Sequence, residues 1–237
     1  MRYFVVVPAA GSGRRVASAT PKQYFAVAGR ALIEVALAPF LRDLHCARIV
    51  VAIAADDPHW PAIERRLNDP RVRAVTGGAE RADSVRLGLA ALRNIAAADD
   101  WVLVHDAARP CLSRAELASL LGELADHEVG GLLAVPLADT LKRARPDQPA
   151  QVASTVERAH LWRALTPQMF RYAVLERALG AALAAGRTPT DEAQAIEWLG
   201  LVPRLVPGDA RNIKVTTAAD LALVTALLEV RKAHAAE

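Results

Sequence analysis

The first residues that could do chemistry lie together in one stretch, VVVPAAGSGRRVASATPKQY, from Val5 to Tyr24. Gly11 and Gly13 permit a tight turn whose backbone N–H groups converge on a phosphate. Arg14, Arg15 and Lys22 follow at once, and cations crowded beside such a nest repel one another unless an anion sits among them. The dinucleotide fingerprint is not met, because Val16 stands where a third Gly or Ala belongs. The Walker pattern is absent too, since no Gly-Lys-Ser/Thr run occurs. The stretch therefore offers phosphate binding, with an ordinary solvated basic turn as the plain alternative.

Three more stretches carry polar residues at the ends of apolar runs. In TGGAERADSV, Gly77 and Gly78 allow close backbone approach to a base or ribose. Ser84 falls in the first turn of a helix, where it either meets a polar ligand or serves as a cap. In VLVHDAARP, Asp106 sits at a strand's carboxyl edge. A carboxylate there is repelled by phosphates unless a divalent cation lies between them, and Mg²⁺ is the expected ion. His105 reads as a packed support, and Arg109 either pairs with Asp106 or binds substrate. In DARNIKVTT, Lys214 is a further phosphate clamp or an edge decoration. Thr140, Arg158, Thr166 and Gln168 are donors with no evident structural duty, although Thr166 also suits a turn before Pro167.

No GxSxG elbow is present, neither Cys46 nor Cys111 has a base partner, and the six His residues show no ligand spacing. Glycine turns, cations and one or two carboxylates suit phosphoryl or nucleotidyl transfer, where the protein supplies positioning and charge neutralisation.

These residues need a scaffold. The chain has 237 residues, 53% of them hydrophobic and only 5% aromatic, which favours helix-covered parallel strands. A net charge of +3, spread among 29 basic and 26 acidic residues, gives no nucleic-acid tail. The two Cys residues form no disulfide framework, which fits a reducing cytoplasm. The first apolar run is too short for a signal peptide or a membrane span.

Strands are expected at Tyr3–Val7, Ile49–Ala54, in RVRAVTGG and in DWVLVHDAARP, alternating with helices in RALIEVALAPFL, HWPAIERRL and RADSVRLGLAALRNIA. This βαβ rhythm predicts a parallel sheet. A helix over 115–125, a strand in GGLLAVPL and helices in RYAVLERALGAALAAG and TDEAQAIEWLG follow, the last capped by Thr190. VPRLVPG reads as a strand and TAADLALVTALLEVRKAH as a closing helix, with Thr217 and Asp220 in capping-box positions. The stretch 138–170, with its internal prolines and polar alternation, reads as an antiparallel arm outside the main sheet.

Taken together, PAAGSGRRV…TPKQY, GGAERADSV, VLVHDAARP, DT at 139–140, LWRALTPQ, TDEA and NIKVT resemble the 2-C-methyl-D-erythritol 4-phosphate cytidylyltransferases of the non-mevalonate isoprenoid pathway. The match is ordered and spans about residues 3–228. The resemblance implies an α/β, Rossmann-like three-layer fold with a mostly parallel central sheet, of the nucleotide-diphospho-sugar-transferase type. It implies a single domain over 1–237, with a projecting β-arm at about 138–160 that interlocks two subunits of a homodimer. It further implies CMP transfer from CTP to methylerythritol phosphate, with Mg²⁺, and neither nucleic acid nor membrane as a partner.

By motif, Arg15 and Lys22 correspond to the residues that stabilise the pentacoordinate α-phosphate. Ala9, Ala10, Gly11, Gly13, Gly77, Ser84 and Ala107 would line the CTP pocket, with Asp106 on the metal. Thr140, Arg158, Thr166 and Lys214 would receive the acceptor, Thr140 from the partner subunit, and Thr190 is a further site position. The chain departs from some members at Ala79 and Arg211, where an acidic residue stands, and Asp209 is a candidate to replace the second. A cytidylyltransferase for another polyol phosphate, such as ribitol 5-phosphate, is the nearest alternative. An NAD(P)-dependent dehydrogenase is the rival from another class, disfavoured by Val16 and the basic cluster.

Overall fold

The computed structural model describes residues 1–11 and 20–234, the last two by backbone alone. Seven strands form one twisted sheet: β1 (Tyr3–Pro8), β4 (Cys46–Ile53), β5 (Val72–Thr76), β6 (Trp101–Val104), β7 (Gly130–Pro136), β10 (Trp162–Arg171) and β11 (Arg204–Pro207). Their order is β11-β7-β10-β6-β1-β4-β5. All neighbours are parallel except β10, which runs antiparallel to both β6 and β7. Two small pairs stand apart, β2 (Ala26–Val27) with β3 (Arg30–Ala31), and β8 (Leu141–Ala144) with β9 (Val152–Val156).

Helices cover both faces, which makes three layers. Successive β1 side chains point to opposite faces. Tyr3, Val5 and Val7 enter one core with Ile33, Leu37 and Phe40 of α1 (Leu32–Leu41), Ile63 of α2 (Trp60–Leu67) and Leu120 of α4 (Arg114–Leu124). Phe4 and Val6 enter the other, with Val85 and Leu89 of α3 (Arg81–Ala90), Leu175 of α5 (Tyr172–Ala184) and Ile196 of α6 (Glu192–Glu197). Burial on both sides is why β1 and β6 read as unbroken apolar runs. The last helix, α7 (Ala218–His234), packs Val224 on Val27, Leu32 and Val215. Among the described residues no helix is long and apolar enough to cross a membrane.

Three expectations need correction. Residues 162–171 are not part of an outlying arm: they are β10, in the interior of the sheet. The register with β7 shifts between Ala164 and Gln168, so Pro167 sits where no ladder hydrogen bond is required of it. That bulge breaks the period-two pattern that identifies a strand. Among the described residues of the expected arm, only the β8–β9 hairpin lies outside the main sheet as a strand pair, and its residues are almost wholly exposed. The α6 cap is Asp191 in place of Thr190: its carboxylate accepts the Gln194 N–H at 2.9 Å, while the exposed Thr190 donates its own N–H to Gln194 Oε1. The second strand begins at Cys46, three residues before the expected Ile49.

The capping box before α7 forms as expected. Thr217 Oγ1 accepts from the Asp220 N–H at 3.2 Å, and Asp220 Oδ2 accepts from the Thr217 N–H at 2.8 Å.

Leu103 lies on central β6 with no exposed surface, whereas Leu205 on edge strand β11 is 44% exposed. Leu103→Ala is expected to cost about 2–5 kcal/mol. Leu205→Ala should stay within about 1 kcal/mol. Urea unfolding of both variants checks the difference.

Candidate active site

In an open parallel sheet, ligands bind beyond the carboxyl ends of the strands. A cavity of about 370 Å³ lies there, between the ends of β1, β5 and β6 and the loop before α7. Of the expected residues, Ala9, Ala10, Gly11, Lys22, Ser84, Asp106, Ala107 and Lys214 line it. Gly13, Arg14 and Arg15 fall within 12–19, outside the described residues.

The two glycines after β5 serve different ends. Gly78 borders the cavity and Gly77 lies behind it. A Cβ on Gly77 would stand 2.6 Å from Ala10 Cβ and 2.8 Å from Ser84 Oγ, so Gly77 lets two linings meet. A Cβ on Gly78 would come within 2.3 Å of Asp83 Cβ, which keeps that position glycine. Ser84 Oγ accepts the Gly78 N–H at 3.1 Å and lies 3.2 Å from the Glu80 carbonyl, to which it donates. The serine thus shapes the turn as well as facing the cavity.

Asp106 is the centre of the arrangement. Its carboxylate is almost fully buried and meets three cations: Arg81 Nε at 3.1 Å on Oδ1, Lys214 Nζ at 2.9 Å and Arg109 Nε at 3.5 Å on Oδ2. Burial alone would raise its pKa, but Arg81, Lys214 and Arg109 more than reverse this and hold it far below the ordinary carboxylate range. Arg109 also donates to the Asn212 carbonyl at 2.7 Å, and it does not border the cavity; of its two expected roles the structure supplies the pairing with Asp106. Lys22, on a turn of 3₁₀ helix at Lys22–Tyr24, faces the same space and donates to the Val215 carbonyl at 3.2 Å.

Behind Asp106 stands a buried relay. His105 Nε2 lies 3.0 Å from the Arg109 carbonyl, which can only accept, so Nε2 carries the proton. Nδ1 then accepts from the Thr166 hydroxyl at 3.0 Å, and Thr166 Oγ1 accepts the Asp106 N–H at 3.2 Å. Thr166 is thus engaged within the fold, and it does not border the cavity. Burial pushes the His105 pKa down to about 4 despite the adjacent Asp106.

Thr140, Arg158 and Thr190 lie away from the cavity and are exposed. Arg158 donates to the Ala138 carbonyl at the root of the β8–β9 hairpin. Asp209 pairs with Arg211, outside the cavity lining.

Three functional neighbours escaped the sequence reading. Gln23 donates to the Ala9 carbonyl at 2.8 Å and so ties the 3₁₀ turn to the end of β1. Arg81 borders the cavity, and its guanidinium binds Glu192 through Nη1 at 2.6 Å and Nη2 at 3.1 Å. Each stands inside a quoted motif, PKQY, GGAERADSV or TDEA, but nothing local marks it as paired.

The chain is similar to known proteins over nearly its whole length. The family model of 2-C-methyl-D-erythritol 4-phosphate cytidylyltransferase matches residues 3–230. The 2-C-methyl-D-erythritol 4-phosphate cytidylyltransferase of Ectopseudomonas mendocina is 54% identical over 222 residues, covering 93% of each chain. A crystal structure of 4-diphosphocytidyl-2C-methyl-D-erythritol synthase superposes with a TM-score of 0.83 at 39% identity, over 96% of this chain and 99% of the other. The 2-C-methyl-D-erythritol 4-phosphate cytidylyltransferase of Thermus thermophilus gives 0.78 at 31% identity, over 97% and 100%.

His105 yields a prediction about stability. Its folded pKa of about 4 lies below the ordinary value of 6.5, so between those values the unfolded chain binds the extra proton. Stability is then full above pH 6.5 and falls as pH drops towards 4, by up to about 3 kcal/mol. The lowered carboxylates, Asp106 among them, act mainly below pH 4.5. Urea unfolding from pH 7 to 4.5 should show this slope in the wild type and lose it in His105→Gln.

Proposed function

Because the chain belongs to the 2-C-methyl-D-erythritol 4-phosphate cytidylyltransferase family and transfers CMP from CTP to 2-C-methyl-D-erythritol 4-phosphate, we propose that the carboxyl-edge cavity holds the triphosphate and that Lys22 and Lys214 are its reacting cations. The observation that carries this reading is their presence in one cavity with a buried Asp106.

The nucleophile is the acceptor's phosphate oxygen. A phosphate monoester has its second pKa near 6, so this oxygen is largely dianionic at pH 7 and needs no general base. That suits a site whose nearby imidazole, His105, is neutral, buried and committed at both nitrogens. As the new bond to the α-phosphorus forms, the bond to the pyrophosphate oxygen breaks and pyrophosphate leaves with its charge. The obstacle is repulsion between two anions. Lys22 and Lys214 lower it, most strongly as charge gathers on the α-phosphoryl oxygens. Arg15 joins them in this reading, on motif alone.

Family membership implies CTP with Mg²⁺. Mg²⁺ is commonly held by one or two carboxylates, waters and substrate phosphates rather than by a protein cage. The donor set fits: no cluster of three or more ligating side chains exists among the described residues, while the Asp106 carboxylate borders the cavity. Asp106 would hold the ion, whose contribution is neutralisation of phosphate charge.

The acceptor side is assigned to a second copy of the chain. Thr140 and Arg158 belong to the exposed hairpin region, away from their own cavity, and Leu141, Val152, Leu161 and Trp162 expose apolar surface beside them. Arms exchanged in a homodimer would bring Thr140 and Arg158 to the partner's site and cover that surface.

Lys22→Ala is expected to lower pyrophosphate release by about 10²-fold or more with the fold intact; turnover at the wild-type level would sink its role. Thr140→Ala should mainly raise the acceptor KM. Co-expressing Lys22→Ala with Thr140→Ala and assaying far below that KM tests the exchange. Crossed arms give each hybrid dimer one intact site, so about a quarter of wild-type activity returns on random pairing. Arms serving their own subunit give no recovery.

A further inference from the structure

Arg81 is the first residue of α3, and all three of its guanidinium nitrogens are engaged. Nη1 and Nη2 donate to the two oxygens of Glu192, at 2.6 and 3.1 Å, and Nε donates to Asp106 Oδ1 at 3.1 Å. Glu192 begins α6, is 1% exposed and lies outside the cavity lining. The start of that helix is itself fixed. Buried Gln168 donates to Asp191 Oδ2 at 2.9 Å and accepts the Ala193 N–H at 2.8 Å. A chain of direct contacts therefore runs from β10 through α6 and α3 to the carboxylate at the cavity.

We propose that Glu192 and Arg81 are positioning residues for the transfer: Glu192 locks the Arg81 guanidinium so that it grips Asp106 by one oxygen only, leaving Oδ2 turned towards Lys214 and the cavity. An arginine facing a carboxylate favours two parallel N–H bonds. Such a fork on Asp106 would bring a second guanidinium N–H onto Oδ2, where it would compete with Lys214, which now holds that oxygen at 2.9 Å beside Arg109 Nε at 3.5 Å. Glu192 prevents this by taking the Nη pair. It also neutralises a cation that borders the nucleotide cavity, where an uncommitted guanidinium would capture phosphate oxygens in an unproductive pose. The inference rests on Asp106 and Lys214 acting as proposed above, and extends that reading to an element with no surface in the cavity.

The test compares wild type with Glu192→Gln, Arg81→Lys and the double variant Glu192→Gln/Arg81→Gln. Tm, calorimetric Kd for CTP, and kcat and KM from pyrophosphate release are measured for each. Glu192→Gln should lower kcat by about 10- to 100-fold, the scale of a small misplacement of reacting groups. The double variant removes both buried charges, so its Tm should return towards wild type while kcat stays low. Recovery of Tm and kcat together would make the pair a mere strut between helices and overturn the proposal. Arg81→Lys keeps the charge but cannot bridge both carboxylates in this geometry; it should fold, bind CTP with altered Kd and lose turnover similarly. Unchanged Kd and kcat in Arg81→Lys would overturn the proposal even if the double variant does not fold. Wild-type protein that releases no pyrophosphate from CTP and acceptor would strike at the activity itself, and is recognised before any variant is read.

Discussion

A carboxylate removed from water beside three cations is the constraint around which this molecule is organised. Asp106 follows β6 directly, yet Arg81 comes from α3, Arg109 from the turn after the strand and Lys214 from the loop before α7. Burying any one of these charges alone would be costly, because desolvation outweighs what a lone ion regains inside a protein. Together they satisfy one another, and each contact pulls a different element towards the carboxyl edge. The apolar cores hold the layers together; the ion cluster fixes how the layers' edges meet.

The antiparallel strand completes that edge. β10 enters the sheet between β7 and β6, and its bulge places Thr166 beside His105 while Gln168 lies across from α6. Asn212 donates to the Thr166 carbonyl at 2.9 Å, and the Val215 N–H donates to the Ala108 carbonyl at 2.8 Å, so the segment carrying Lys214 is sewn to β10 and to the β6 turn. With the His105 tautomer set by the Arg109 carbonyl, every donor in the relay has one direction. Both ring nitrogens of His105 and the Thr166 hydroxyl are engaged, and together they hold the backbone N–H of Asp106 in place.

What the sequence made legible follows from the range of the interactions. Strands β1 and β6, with helices α2, α5 and α7, carry their apolar pattern locally, α7 with its cap as well, and they appear near the expected places. Lys22, Asp106 and Lys214 could be picked out because charge at the end of an apolar run is visible locally. β10 was not legible as a sheet strand, since Pro167 and the register shift erase the alternation, and only pairing with distant strands restores it. Gly77 and Gly78 look alike in the chain but differ once Ala10 and Asp83 close on them. Arg81 and Glu192 are separated by 111 residues and resemble any helix-terminal charges until the fold joins them. The TDEA motif is instructive: its contacts reside in Asp191 and Glu192, while Thr190 faces outward.

The charge balance explains why so basic a site can exist before substrate arrives. Among the described residues at the cavity and its floor, Lys22, Lys214, Arg81 and Arg109 are set against Asp106, Glu192 and Glu80. Glu192 takes up the Nη pair of Arg81, and Asp106 is shared by Arg81, Lys214 and Arg109, so their mutual repulsion is relieved without removing the cations. A triphosphate entering this space brings more negative charge than Asp106 does, and the half-exposed Lys214 can turn to it from Oδ2 with little desolvation left to overcome. Arg81 and Arg109 cannot follow as easily, since the first is forked to Glu192 and the second holds the Asn212 carbonyl. In the proposed reading, the same carboxylate separates Arg81 and Arg109, which remain as scaffold, from Lys214, which is released to substrate, a division that a phosphate-transfer site needs when it has no covalent catalyst.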